Sequence, residues 1–276
     1  MTVPAPLPQD IIHAVIEKIS PNDIETLKQC SVVSQSFLVP SQKQLFSVIH
    51  LTLKGRFSCQ RLHHLLLNAP HIATYIRELH VVFFSDSPHL QHTRKWIYGE
   101  ETFPHLLQLM KPWLKSFSLA GKYNSVNWAL FPPELQNAIL DLCTSPNLIS
   151  IRLISICAGL FPIATFGNSK YLKRLGFLSC SHLECWRTFT PIPLPSPSSN
   201  EVDKAHLESI ELGGYTSRSI IGSLLLPQSL LGISRLREIS IKSETWRVLC
   251  GILSANRHIA QSVESLMWLD ARYDSI

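Results

Sequence analysis

Apolar residues near the start of the chain recur at the three- and four-residue spacing of amphipathic helices. The segment LPQDIIHAVIEKI, positions 7–19, carries one wide apolar stripe made by Ile11, Ile12, Val15, Ile16 and Ile19. Pro8 suits the first turn of a helix, where its missing N–H is no loss, and Asp10 lies near the positive end of the helix dipole. The pattern predicts a first helix over this segment.

Two further helices are predicted before position 47. In the second, Ser20 serves as the cap and Pro21 as the first residue, and apolar residues follow at helical steps until Pro40 ends the helix. A short third helix, SQKQLF, leads out. A unit of this size buries little apolar surface and is marginal in stability. We therefore expect the rest of the chain, or another protein, to cover part of its apolar surface.

The remainder of the chain repeats an apolar-x-x-apolar-x-apolar pattern eight times. The repeats begin 24 to 38 residues apart, at Phe46, Ile76, Leu114, Leu148, Leu172, Leu207, Leu236 and Val263. Helix-like segments lie between several of them, such as CQRLHHLLLNAP, FPHLLQLMKPW, PPELQNAILDLCTSP and ETWRVLCGILSANRH. Each repeat is thus a helix, a short loop and a short strand, with the last two apolar positions facing inward. Stacked repeats of this kind predict an irregular solenoid with a curved parallel sheet and helices on one side.

Composition and charge narrow the class of protein. Apolar residues make up 45% of the 276 residues and charged residues 16%, which is enough material for a core. The net charge of +5 comes from scattered Lys and Arg, so no nucleic-acid patch is indicated. The longest apolar stretch, SIIGSLLLPQSLLGI, is shorter than the about 20 residues of a spanning helix, so we expect no membrane association.

The sequence offers little sign of a metal site or a catalytic site. The seven cysteines mostly stand in apolar segments and are expected to be small buried hydrophobes, which favours a reducing cytoplasmic or nuclear compartment. Cys180 and Cys185 lack the second pair that a zinc site needs, and adjacent His63 and His64 point to different faces of a helix. We find no phosphate loop, nucleophile elbow or dinucleotide fingerprint, and expect no enzyme activity, metal or cofactor.

Two segments depart from the repeat pattern. The Pro/Ser-rich stretch at 190–204 is predicted to be an exposed loop between the fifth and sixth strands. The chain also ends just after the last strand with no polar capping helix, so we expect a truncated product or a partner there.

The opening residues resemble an F-box. The Leu-Pro start, the spaced isoleucines, Leu27 and the segment CSVVSQSF match that motif in order and spacing, and the run FLVPSQKQLFSVIHL is similar to fungal, mushroom-type F-box-like proteins. Asp10 stands where Glu is commoner. The later repeats resemble the divergent leucine-rich repeats that follow F-boxes. The resemblance implies an F-box-like helical domain at 5–46 and a divergent leucine-rich-repeat-like domain at 47–276.

The resemblance also implies a function. It is that of a substrate-receptor subunit of an SCF-type cullin–RING ubiquitin ligase, which binds a Skp-type adaptor and, through it, a cullin. The residues expected to bind the adaptor are Leu7, Pro8, Ile11, Ile12, Ile16, Leu27 and Val32. A target protein is expected on the outward face of the sheet, at His80, Arg152, Ile154, Arg174, Leu178 and Met267. Arg152 and Arg174, on neighbouring strands, are candidates to read an acidic or phosphorylated target.

Two other classes of function remain open at this point. One is a repeat scaffold that binds proteins outside any ligase. The other is an enzyme whose catalytic groups come together from distant parts of the chain. Binding of the adaptor would distinguish the ligase receptor from the scaffold. A deep pocket with converging His and carboxylate groups would favour the enzyme.

Overall fold

A computed structural model describes residues 7–53, 57–84, 102–122, 126–128, 131–157, 166, 169–180, 205–213, 231–232, 235–241, 250, 253–254 and 261–268. The helices are α1 (Gln9–Glu17), α2 (Ile24–Val33), α3 (Gln35–Leu45), α4 (Phe57–Asn68), α5 (Thr102–Met110) and α6 (Pro133–Cys143), with a 3-10 helix at Pro70–Tyr75. The strands are β1 (Val48–Leu53), β2 (Glu78–Phe84), β3 (Ser116–Lys122), β4 (Val126–Asn127), β5 (Ser150–Ile154), β6 (Ile156–Cys157), β7 (Arg174–Leu178), β8 (Ala205–His206), β9 (Ser209–Gly213), β10 (Leu231–Gly232), β11 (Glu238–Ile241) and β12 (Ser265–Trp268).

The three predicted N-terminal helices form, but their boundaries differ from the prediction. The cap of α2 is Asp23, whose carboxylate accepts a hydrogen bond from the Thr26 N–H at 3.2 Å, rather than Ser20. The predicted second helix is broken at Ser34, whose backbone is fully extended. Pro40 therefore lies inside α3 instead of ending a helix.

A long-range hydrogen bond explains how α3 accommodates Pro40. A proline has no N–H, so the Ser36 carbonyl loses the helical partner that residue 40 would supply. The Gln9 side-chain amide donates to that carbonyl at 2.9 Å. Gln44 similarly donates from its side chain to the Ile19 carbonyl at 2.7 Å. These two contacts join the beginning and the end of the α1 segment to α3.

The eight predicted repeats form one parallel sheet. Its strands follow chain order, β1-β2-β3-β5-β7-β9-β11-β12, and every neighbouring pair is parallel. The register is uniform as well, because the third residue of each predicted segment is paired with the third residue of the next. These residues are Val48, Glu78, Ser116, Ser150, Arg174, Ser209, Glu238 and Ser265. The α/β class and the strand positions are thereby confirmed.

The main core lies between this sheet and the helices. Inward strand residues such as Leu79, Phe117, Ile151 and Leu175 are buried, as predicted from the pattern. The helices α4, α5 and α6 pack side by side and add their own buried faces to the same cluster. Cys59, Cys143 and Cys180 belong to this core, in agreement with their expected role as small hydrophobes. The predicted 190–204 loop and most of the predicted helix at 244–258 lie outside the described residues.

Two equivalent turns follow β5 and β7. Ser155 and Ser179, each the first residue after its strand, have φ values of 52° and 51°, a left-handed conformation that is uncommon for serine. The Ser155 N–H donates to the Leu178 carbonyl and the Ser179 N–H to the Gly213 carbonyl, both at 2.7 Å. Each turn is thus held by the end of the next strand, and the repetition extends to backbone conformation.

Candidate protein-binding surfaces

The three N-terminal helices have a small core of their own, which we call the head core. It consists of buried Ile12, Ile16 and Leu27, with Ile19, Cys30, Phe37 and Leu45 partly buried against them. This cluster is separate from the main core between the sheet and its helices. The burial contradicts the assignment of Ile12, Ile16 and Leu27 to an adaptor-binding surface, because their side chains are already covered by neighbouring helices.

The other predicted adaptor residues are exposed. Leu7 is 60% exposed, Ile11 46% and Val32 83%, and Pro8 also lies on the surface. Single exposed apolar residues are common on protein surfaces, whereas a contiguous exposed group is typical of a surface that binds a partner. Some of the predicted adaptor-binding residues therefore form the core of the head, and the others remain accessible on its surface.

Three exposed apolar residues at the start of the head form what we call the exposed stripe, which consists of Leu7, Ile11 and Val15. Ile11 and Val15 are four residues apart in α1 and share one side of it, next to the side that carries Ile12 and Ile16, and Leu7 comes just before the Pro8 cap of the helix. Val15 is 53% exposed. Sequence reasoning omitted Val15 from the site, although its spacing from Ile11 was a sufficient signal. Val33, beside Val32 at the end of α2, is another exposed apolar residue that was omitted.

The outward face of the sheet, which we call the sheet face, carries the predicted target-binding residues, spread from β2 near one edge to β12 at the other. His80, Arg152 and Met267 lie in one row across the strands, Ile154 and Leu178 in the row towards the strand ends, and Arg174 in the row towards the strand starts. Leu178 is buried, which contradicts its prediction as a contact residue. The other five remain partly or largely exposed.

An ion pair crosses the centre of this face. The Arg152 Nη2 atom donates to Glu211 Oε1 at 2.7 Å, although β7 lies between their strands. The residue of β7 in that row is Gly176. A Cβ atom at Gly176 would lie 3.1 Å from Arg152 Cγ and 3.2 Å from a Glu211 carboxylate oxygen, so a larger residue would obstruct the pair. Arg152, predicted together with Arg174 to read an acidic target, is therefore engaged by a carboxylate of the chain itself.

Two histidines stack at one side of the sheet face. The His50 and His80 rings are nearly parallel, with centroids 4.8 Å apart, and Glu78 lies 3.5 Å from His80. Burial lowers the pKa of His80 below its ordinary value; His50 and Arg152 act in the same direction, and Glu78 opposes them. These interactions therefore favour the neutral form of His80.

Other kinds of site find no support within the described part of the chain. No group of three or more His, Cys, Asp or Glu side chains is placed to hold a metal ion there. None of the helices described above is both long enough and apolar enough to cross a membrane. Comparison of the chain with protein-family models, with curated proteins and with solved structures found no match.

Proposed function

We propose that the chain is a substrate-receptor subunit of an SCF-type cullin–RING ubiquitin ligase. In this proposal the N-terminal helices are an F-box-like head that binds a Skp-type adaptor, and the repeats form a leucine-rich-repeat-like domain that binds a target. The receptor breaks no bond itself. It holds the target close to a ubiquitin-charged enzyme and so raises its effective concentration.

The exposed stripe is the observation that supports the proposal most directly. Leu7, Ile11 and Val15 remain accessible while the adjacent side of α1 is buried in the head core. Full burial of one such side chain contributes roughly 1.5–3 kcal/mol. The three residues together with Val32 and Val33 are between 46% and 83% exposed, so burying what remains accessible provides on the order of 5–10 kcal/mol, comparable with the cost of association. Apolar contact alone gives a weak complex, so polar contacts by the adaptor are also required.

The uniform register and the two equivalent turns support the repeat domain. Eight parallel strands in chain order, with one side covered by helices, are the arrangement expected of stacked repeats. Repeat domains of this kind present a broad face with separate rows of side chains, which suits the binding of a protein rather than of a small molecule.

Co-purification with a Skp-type adaptor tests the proposal. The variant carrying Leu7→Ser and Ile11→Ser should lose the adaptor, because it places two hydroxyl groups in an apolar interface. A matched control carries Leu67→Ser and Leu109→Ser, which are exposed leucines on α4 and α5 and should bind normally. Circular dichroism of both variants checks that the fold is retained.

The result also decides between the ligase receptor and the non-ligase scaffold. Failure of the intact chain to bind the adaptor, or equal binding by both variants, would contradict the receptor. Recovery of other proteins through the sheet face without adaptor or cullin would then favour a scaffold for protein–protein interaction. Affinity purification of the intact chain followed by mass spectrometry provides that comparison.

A further inference from the structure

The centre of the sheet face carries a positive charge in excess. Its three strands β5, β7 and β9 contribute Arg152, Arg174 and Glu211, which sum to one positive charge. Glu208, just before β9, interacts with Arg174 but is paired with Lys173 at 2.8 Å, so these two further charges cancel. The acidic residues Glu78 and Glu238 lie on strands at least two removed from β7, which is roughly 10 Å at the usual strand spacing. An acidic group approaching the centre is therefore attracted more than it is repelled.

Arg174 is available for such a group. Its side chain is exposed and has no ion-pair or hydrogen-bond partner among the residues that the structure describes. Ser150 and Ser209 are its direct cross-strand neighbours, so two hydroxyl donors stand on the same face on either side of residue 174. A cation with hydroxyl donors on the neighbouring strands is suited to bind an oxyanion.

Arg152 lies diagonally across from Arg174, two residues beyond Ser150 on the neighbouring strand, within reach of the same ligand. Among the residues that the structure describes, its ion-pair contact is the one to Glu211, and its Nε atom is buried with no hydrogen-bond partner there. The Arg152 and Glu211 side chains are 40% and 20% exposed, so an incoming acidic group can reach the pair from solvent. The pair can therefore open when a better acceptor arrives.

We propose that, in the free chain, Glu211 occupies the position next to Arg152 where an acidic group of the target binds. A carboxylate or phosphoryl group of the target displaces Glu211 from Arg152 and is held by Arg152 and Arg174 together, with Ser150 and Ser209 as further donors. Gly176 permits this exchange, because the absence of a side chain leaves the space above β7 to the ionic groups. The proposed function enters only in identifying the ligand as a target protein.

Peptide binding to the full-length chain tests the exchange. The probes are three pentapeptides with glycine flanks and a central phosphoserine, glutamate or serine, titrated by calorimetry at low ionic strength, where charge interactions are least screened. Glu211→Gln removes the competing carboxylate and should tighten binding of an acidic peptide about fivefold. Glu238→Gln removes the same charge from the same face but frees no arginine, and should change the affinity much less.

Two arginine variants test whether both guanidinium groups hold the acidic peptide. Arg152→Gln and Arg174→Gln should each abolish the gain seen with Glu211→Gln, and the serine peptide should not bind any variant. Tight binding of the phosphoserine peptide alone identifies a phosphorylated target, and binding of both acidic peptides identifies a general acidic one. Equal effects of the two glutamate variants, or no acidic peptide bound by Glu211→Gln, would overturn the proposal. Adaptor co-purification by the same variants is unaffected, so failure of the receptor proposal is distinguishable.

Discussion

Replacement of Leu27 by alanine should open the head while leaving the sheet folded. Leu27 is fully buried, and among the described residues it shares the head core with two other buried apolar residues, Ile12 and Ile16. Truncation of a buried leucine to alanine costs about 2–5 kcal/mol, from lost burial and the cavity that remains. A helical unit of about forty residues has little more stability than that. The substitution therefore removes most of the free energy that keeps α1, α2 and α3 folded.

Hydrogen exchange followed by mass spectrometry measures this effect segment by segment. Peptides from 9–45 should exchange much faster in Leu27→Ala than in the parent chain, because local opening exposes their amides. Peptides from 114–153, which cover β3, α6 and β5, should keep their protection. Leu153→Ala, a truncation of the same size in the main core, is the matched control and should raise exchange in the sheet instead.

Two outcomes of the hydrogen-exchange experiment would contradict this prediction. Unchanged exchange across 9–45 would show that the head core contributes little to holding the three helices. A similar rise in the head and the sheet would show that both unfold as one cooperative unit, and the division into two domains would then be wrong.

Three further outcomes follow from single features of the structure. Gln9→Ala should destabilise the chain by about 0.5–1.5 kcal/mol in denaturant titrations. The loss should be smaller in a Pro40→Ala background, because residue 40 then supplies the N–H that the Ser36 carbonyl lacks. Equal losses in both backgrounds would contradict the proposed role of Gln9. Because the folded-state pKa of His80 is lowered, the unfolded chain binds the proton first as pH falls below about 6.5. Stability should therefore fall with acidification, with a shallower dependence in His80→Gln; identical slopes in thermal unfolding would count against this. Burial raises the pKa of the Cys143 thiol to about 12, so native protein at pH 8 should alkylate at half-buried Cys30 long before Cys143, as peptide mapping would show.

The strands could be predicted from sequence because their signal is local and repeated. Each repeat places two inward apolar residues two positions apart, and the same offset recurs eight times, so the alignment of segments also gives the register. The positions and the register of the strands can therefore be predicted from the local pattern of each repeat, without knowledge of contacts between distant residues. This explains why strand positions were predicted more accurately than helix boundaries.

The helix boundaries in the head depended on a contact that no local rule describes. Proline inside a helix is normally unfavourable, and the prediction that Pro40 ends a helix follows from that rule. Gln9, 27 residues away from Ser36 along the chain, supplies the missing hydrogen bond. Helical periodicity likewise gave the apolar stripe of α1 without showing that Ile12 is buried and Ile11 exposed, because that division depends on where α2 and α3 pack.

The Arg152–Glu211 pair was missed for a related reason. The repeat pattern gives both residues outward positions, but they are 59 positions apart and belong to strands that are not adjacent. Rules for cross-strand pairs concern immediate neighbours. Only the glycine between them makes the longer contact available.

Inward and outward residues alternate along the eight strands, so the residues that form the core differ from those that form the surface available for binding. Each strand gives its inward positions to the interior and its outward positions to the rows of the sheet face. Exchanges in an outward row can alter shape, charge and partner choice without creating a cavity or an overpacked interior. A designer could therefore randomise one row, for example Ser116, Ser150, Arg174 and Ser209, and obtain a library of surfaces on an unchanged framework.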